Sequence, residues 1–301
     1  MDHWLDDRKK APARNLLAPK TSVMDGRKYI VDDSGEPVSE LQEDDAPIPC
    51  RKEVLLQEKK DLDKVEIKPA SWYIENGCTD PVAKLVKDIG DSAFIAGTAA
   101  GQTMNSLATW RGGEQAMLDI MDDPAFVHAV MERATNISIE IGKALIYAGV
   151  DGIYIGDAWA SASIISPSIY EEFCLPYHRK ASEAFQSLGT KVYLHICGNS
   201  QPMLHLMAET GVDAIEPLDV DGGVKLEEVR ARVGDKICLK GGVSTLLLLR
   251  GSREEVYKES RRCIELLGPQ SYILGGADDI PRDTPFENID AMVQAAKHTY
   301  R

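Results

Sequence analysis

From about residue 80 onward, short apolar runs alternate with amphipathic segments, and this rhythm predicts a parallel sheet wrapped by helices. Pro81 to Ile89 reads as a helix and Ser92 to Gly97 as a strand. Two helical stretches follow, Met104 to Trp110 and Gly113 to Met121. Asp122-Asp123-Pro124 then opens a long helix to about Ala148, because an Asp cap followed by Pro suits the first turn, and Gly149 ends it. The next strand is Gly152 to Asp157, with a long loop from Ala158 to Ser166. Pro167 starts a helix carrying Tyr170 and Phe173, and Pro176 begins or kinks the next one, which runs to Leu188.

Lys191 to His195 is a β-branched and aromatic run that breaks into Cys197-Gly198-Asn199-Ser200, a turn composition. After it come helix Pro202 to Thr210, strand Asp213 to Pro217, helix Lys225 to Val233, strand Lys236 to Lys240, helix Arg253 to Leu267, strand Ser271 to Leu274 and a closing helix Thr284 to His298. Six strands, each followed by helical sequence, imply right-handed crossovers with every strand's C-terminal end on one side. In a (β/α) barrel that side carries the site.

Residues 1–85 read differently. Breakers such as Asp33-Ser34-Gly35-Glu36-Pro37 and Asp45-Ala46-Pro47-Ile48-Pro49 interrupt any apolar period. Lys28 to Asp32 and Pro37-Val38 predict a hairpin, and the charged tract from Lys52 to Lys68 predicts a solvated helix or linker. The expected division is an irregular extension over 1–85 and a barrel over 86–301.

Composition narrows the function. With 48 acidic against 34 basic residues, the net charge of −14 leaves no basic stripe, which excludes nucleic acid as a partner. No apolar run reaches the ~18–20 residues of a membrane span, and the start Met1-Asp2-His3-Trp4-Leu5-Asp6-Asp7 is too acidic for a signal peptide, so a cytoplasmic protein is expected. Cysteines 50, 78, 174, 197, 238 and 263 have no paired spacing and fit reduced thiols.

The strand ends are chemically loaded: Gly97-Thr98, Asp157, His195 with Cys197, Glu216, Gly241-Gly242, and Gly275 to Asp279. Period-two alternation sends His195 and Cys197 to one face, about 6–7 Å apart along the backbone, so an imidazole and a thiol converge as a candidate Zn2+ half-site. Asp157 and Glu216 are the candidate catalytic carboxylates. Asp157 precedes Trp159 and either supports a metal or substrate or caps the loop. Gly241-Gly242 permits close backbone approach to a cofactor, though a tight turn explains the pair equally well. His178 and His205 read as surface or packing residues, and Cys174, Cys238 and Cys263 as core.

Four stretches give the chain a wider likeness: Asp151-Gly152-Ile153-Tyr154-Ile155-Gly156-Asp157-Ala158-Trp159-Ala160-Ser161 with Tyr170 to His178, Leu194-His195-Ile196-Cys197-Gly198-Asn199, Leu239-Lys240-Gly241-Gly242-Val243, and Ile280-Pro281-Arg282-Asp283-Thr284-Pro285-Phe286-Glu287-Asn288-Ile289. In order and spacing they resemble the uroporphyrinogen decarboxylase superfamily, and in the His-x-Cys-Gly stretch its methyltransferase branch, the methylcobamide:coenzyme M methyltransferases and related corrinoid enzymes. The resemblance implies a TIM-like (β/α)8 barrel with Zn2+ at its mouth, held by the His and Cys matching His195 and Cys197 and by a second Cys after the last strand. It implies methyl transfer between a corrinoid protein and a thiol or similar small acceptor. Counting back from Ile280-Pro281, Asp278 stands where that second Cys would be. It becomes the third ligand, a harder donor than thiolate, with turn capping as the other reading and Glu216 as substitute. The superfamily also carries two strands ahead of the first one found here, so the expected barrel is incomplete or closed by a partner chain; a homodimer is a separate expectation. Decarboxylation of a porphyrinogen is the alternative activity, and a non-catalytic truncated barrel subunit is the third reading.

Overall fold

The structure is a computed structural model that describes residues 20–31, 34–41, 47–49, 54–99 and 101–298. Its main sheet has six parallel strands in chain order, β5 (Ala96–Ala99), β6 (Gly152–Gly156), β7 (Lys191–His195), β8 (Ala214–Leu218), β9 (Cys238–Val243) and β10 (Tyr272–Gly276). The sheet does not close: β5 and β10 are its two edges. This is the incomplete TIM-like barrel expected from the strand count. A separate antiparallel meander comprises β1 (Thr21–Met24), β2 (Arg27–Val31), β3 (Pro37–Leu41) and β4 (Pro47–Pro49), and its β2–β3 pair is the predicted hairpin.

Alternation along the strands builds two layers. On β7, Val192 and Leu194, with Ile196 beyond them, are fully buried against the helices, while Tyr193, His195 and Cys197 turn to the other face. Ile153 and Ile155 on β6, Ile215 on β8 and Leu239 on β9 repeat the pattern. The helical layer is anchored by caps, the one at Asp123 as predicted. Asp123 accepts a hydrogen bond from Phe126 N at 3.1 Å to start the 24-residue helix Pro124–Tyr147, which buries Val127, Val130, Met131 and Ala134. Ser252 and Glu255 form a capping box at the start of Arg253–Leu267.

Several boundaries differ from the sequence reading. The first barrel strand begins at Ala96, four residues late, because the Ile95 amide is claimed by the Asp151 carboxylate at 2.7 Å and the ladder with β6 opens at Ala96 opposite Gly152. Strand β9 runs on through Gly241 and Gly242 to Val243. Short helices at Ala70–Glu75 and Thr245–Arg250 had no legible period. The tract from 52 to 68 is not a free linker over its described part. It contains a 3₁₀ turn at Lys59–Lys64, and Leu56 and Leu62 join the main core, with Leu56 N bonded to Trp110 O at 2.7 Å. Packing against the barrel therefore begins well upstream of residue 86. Among the described residues no helix is long and apolar enough to cross a membrane. The five described cysteines are free thiols, and Cys50 lies outside the described residues.

Candidate metal centre

Strand β7 ends at His195, and the turn after it carries Cys197 to the same face. That turn is fastened from both sides. Gly198 N donates to Asp219 Oδ2 at 2.8 Å, and Asn199 N donates to Ser163 Oγ at 3.0 Å. Gly198 has φ +77°, and a Cβ there would lie 2.9 Å from Ser163 Oγ, so the close approach itself requires glycine. Across the mouth, Asp278 follows β10, whose extension is held by Ala277 N bonded to Val243 O at 2.7 Å.

One ligand atom from each of His195, Cys197 and Asp278 lies within 4.8 Å of the others. His195 Nε2 stands 3.9 Å from Asp278 Oδ1. Tetrahedral Zn2+ with nitrogen, sulfur and oxygen ligands spaces its donors roughly 3.3–3.8 Å apart, so side-chain adjustments of up to about 1 Å bring this set to one ion. All three residues are half-buried, which leaves room for an incoming ligand.

The other imidazole nitrogen supports the same fit. His195 Nδ1 is 3.2 Å from Glu216 Oε1, on the neighbouring strand and directly opposite in register. A carboxylate there holds the Nδ1–H tautomer and aims the Nε2 lone pair at the cluster, the usual arrangement behind a metal-binding histidine. Glu216 is buried, and its second oxygen is paired with Lys240 Nζ from β9. An unpaired carboxylate at that depth would be costly, and two partners offset the desolvation. Burial pulls the Lys240 pKa below the ordinary lysine range, and Asp279 pushes it the other way. Lys240 also lies over the Tyr193 ring, 5.9 Å from its centroid.

The remaining candidates go elsewhere. Asp157 is fully buried, and its carboxylate takes Asn105 N at 2.7 Å, Thr103 N at 3.1 Å, the Thr103 hydroxyl and His178 Nε2 at 3.0 Å. His178 Nδ1 in turn contacts the Tyr170 hydroxyl at 3.1 Å. Asp157 thus ties the loop after β5 to the helix Leu175–Gln186. Of its two readings the capping one describes this geometry, and His178 is a buried packing residue while His205 is exposed. Gly241 and Gly242 do not border an open site. A Cβ on Gly241 would meet Leu218 N at 2.7 Å and Gly276 O at 3.1 Å, and one on Gly242 would face Leu226, Cys263 and the Tyr272 hydroxyl. Their φ values of +115° and +103° serve strand packing, so the proposed cofactor approach is replaced by the tight-backbone alternative. Cys174 and Cys263 are core as expected, whereas Cys238 is half-buried.

Lys240, Asp279 and Tyr154 were not singled out from sequence. The signal for two of them was available: alternation puts Lys240 out of phase with buried Leu239, and Tyr154 between buried Ile153 and Ile155. Tyr154 packs against His195 with ring centroids 5.2 Å apart and edge-on to Tyr193 at 5.4 Å. Burial, with Asp279, Cys197, Tyr193 and Asp278 adding to it, raises the Tyr154 pKa far above the usual phenol range.

With this geometry in place, comparison with known proteins agrees on the lineage. The profile of the uroporphyrinogen decarboxylase (URO-D) family matches residues 43–299, and the chain belongs to that family. A methylated-thiol–coenzyme M methyltransferase of Methanosarcina mazei is 31% identical over 68% of this chain and 50% of its own length. A methylcobamide:CoM methyltransferase, MtbA, of the same organism is 29% identical over 79% of this chain and 68% of its own. A uroporphyrinogen decarboxylase of Trichodesmium erythraeum is also 29% identical, over 58% of this chain and 48% of its own. The chain thus spans between about half and two thirds of the length of these relatives. Among solved structures, a methyltransferase from Methanosarcina mazei superposes with a TM-score of 0.68 at 23% identity, covering 80% of this chain and 69% of that one, and supports the fold.

Proposed function

We propose that this protein is a zinc-dependent methyltransferase that moves a methyl group between a methylcobamide carried on a separate corrinoid protein and a thiol or similar small acceptor in the cytoplasm. The observation that carries the reading is the convergence of His195 Nε2, Cys197 Sγ and an Asp278 oxygen at the C-terminal rim of the sheet. The names of two relatives, one acting on methylated thiols and one on methylcobamide, support the choice of chemistry.

His195, Cys197 and Asp278 would hold the ion, and a bound Zn2+ supplies an open position at which a thiol loses its proton near neutral pH. Glu216 keeps the imidazole in the ligating tautomer, and Lys240 holds Glu216 in place through their ion pair. Asp278 in place of a thiolate makes the centre harder and less electron-rich, which favours ionisation of the bound thiol. The exposed rim of the half-open sheet leaves room for a carrier protein to present its methyl group.

Metal analysis of the purified chain and its Cys197→Ala variant tests the reading. About one Zn2+ per chain is expected, together with transfer from methylcobalamin to a thiol, and both should be lost in the variant. Wild-type protein without zinc, or a variant that keeps metal and activity, overturns it. Incubation with porphyrinogens bearing four to eight carboxylates separates the decarboxylase alternative, and no loss of carboxylate is expected.

A further inference from the structure

We propose that the Tyr154 hydroxyl donates a hydrogen bond to the sulfur of the thiol held at the His195–Cys197–Asp278 centre, which makes Tyr154 a catalytic residue of the methyl transfer. The inference rests on the zinc-thiol reading and adds to it the group that recognises the nucleophile.

Tyr154 starts one layer below the metal ligands, opposite Tyr193 in register, while Gly156 lies opposite His195. Its ring climbs the strand into the upper layer through space that only a glycine leaves. A Cβ on Gly156 would stand 2.7 Å from Tyr154 Cε1 and 3.0 Å from its hydroxyl oxygen. The hydroxyl therefore reaches the level of His195, within electrostatic range of Cys197, Asp278 and Asp279.

Among the described residues no protein group forms a hydrogen bond with this hydroxyl, although the ring is well packed. Tyr154 is half-buried and its hydroxyl keeps access to the space above the sheet, so a ligand held beside His195 can take up its hydrogen bond. A phenol carries its proton near neutral pH, so it acts as a donor. A donor aimed at a metal-bound sulfur stabilises the thiolate more than the neutral thiol, because hydrogen bonds to charged acceptors are the stronger ones. The same bond makes the sulfur less nucleophilic once bound. Tyr154 thus contributes to thiol affinity, at some expense to the rate of the bound complex.

Cobalt-loaded protein tests this directly, since Cys197 already gives a thiolate-to-Co2+ charge-transfer band and its increase on titration reports binding of 2-mercaptoethanol without turnover. Tyr154→Phe keeps the ring contacts and should bind one Co2+ as the parent does, with 2-mercaptoethanol affinity weakened about tenfold or more. Gly156→Ala keeps the hydroxyl but pushes the ring aside, and should reproduce the loss. In zinc-loaded enzyme the expected signature is a raised KM for thiol with kcat unchanged or higher, which a purely structural defect would not produce. Unchanged thiol affinity in Tyr154→Phe, beside a band that grows in the parent, overturns the role of Tyr154 alone. If the parent's band does not grow on addition of 2-mercaptoethanol, both this proposal and the zinc-thiol reading fall.

Discussion

At the scale of single residues, two buried carboxylates of the sheet have different work, and their variants should separate cleanly. Glu216 contacts the proposed metal ligand His195 and would act on the ion through it. Glu216→Gln should leave the fold intact and weaken metal affinity by roughly 10–100-fold, as removal of a carboxylate behind a metal-binding histidine typically does. Competition against a chelating dye measures it. Asp157 acts on the fold through four donors. Asp157→Ala leaves those donors buried and unmatched and should cost on the order of 3–5 kcal/mol in urea unfolding, with the metal content of the folded fraction unchanged. Loss of metal without loss of stability in Asp157→Ala would place that carboxylate back at the site. The sequence puts both at strand ends, whereas Asp157 follows β6 and Glu216 lies in the middle of β8.

At the scale of elements, the strand that carries His195 is tethered at its start by Asp213. The carboxylate accepts from Lys191 Nζ at 2.8 Å, Val192 N at 3.0 Å and Gln186 Nε2 at 3.0 Å. Burial tends to raise the Asp213 pKa, but these bonds outweigh it and hold it below the usual carboxylate range. A carboxylate with a lowered folded-state pKa stabilises the protein above its unfolded value of about 3.9, and that contribution disappears as pH falls through the folded value. Asp213→Asn should therefore cost about 1 kcal/mol or less at pH 7, given partial solvent screening, and the gap from wild type should close below about pH 4. Denaturant midpoints across that range check it. Elements with a strong period were legible in sequence, the long helix Pro124–Tyr147 with its Asp-Pro start and the helix Arg253–Leu267 among them. Elements set by tertiary demand were not. The helix Thr245–Arg250 is six residues long, shorter than two turns, and the glycines at its approach read as a turn although they lie inside β9.

At the scale of the whole molecule, six strands make a sheet with two open edges, and large apolar side chains such as Phe94 and Ile273 remain exposed near them. In a fold this open, a metal that cross-links the end of β7 to the segment after β10 spans most of the sheet and should matter for stability. Free Zn2+ at about 100 times its Kd adds about 2.7 kcal/mol to the folded state, which for a chain of this size corresponds to a Tm rise of about 4 °C. Calorimetry with and without a chelator measures the shift, and no difference would mean that these residues do not hold the ion.

The amino-acid pattern alone determined the strand and helix order, the parallel sense, the side on which the site lies, and the pairing of His195 with Cys197. Each of these follows from local periodicity, capping chemistry and the handedness of crossovers, which act over a few residues. Only the tertiary structure decided that Asp278 faces those two residues from three strands away, that Glu216 turns toward His195 while Asp157 turns inward, and that Gly241 and Gly242 pack against backbone and core. Those outcomes depend on register and on which side chain a neighbouring strand offers at a given height, and such contacts between distant segments leave no period in the sequence.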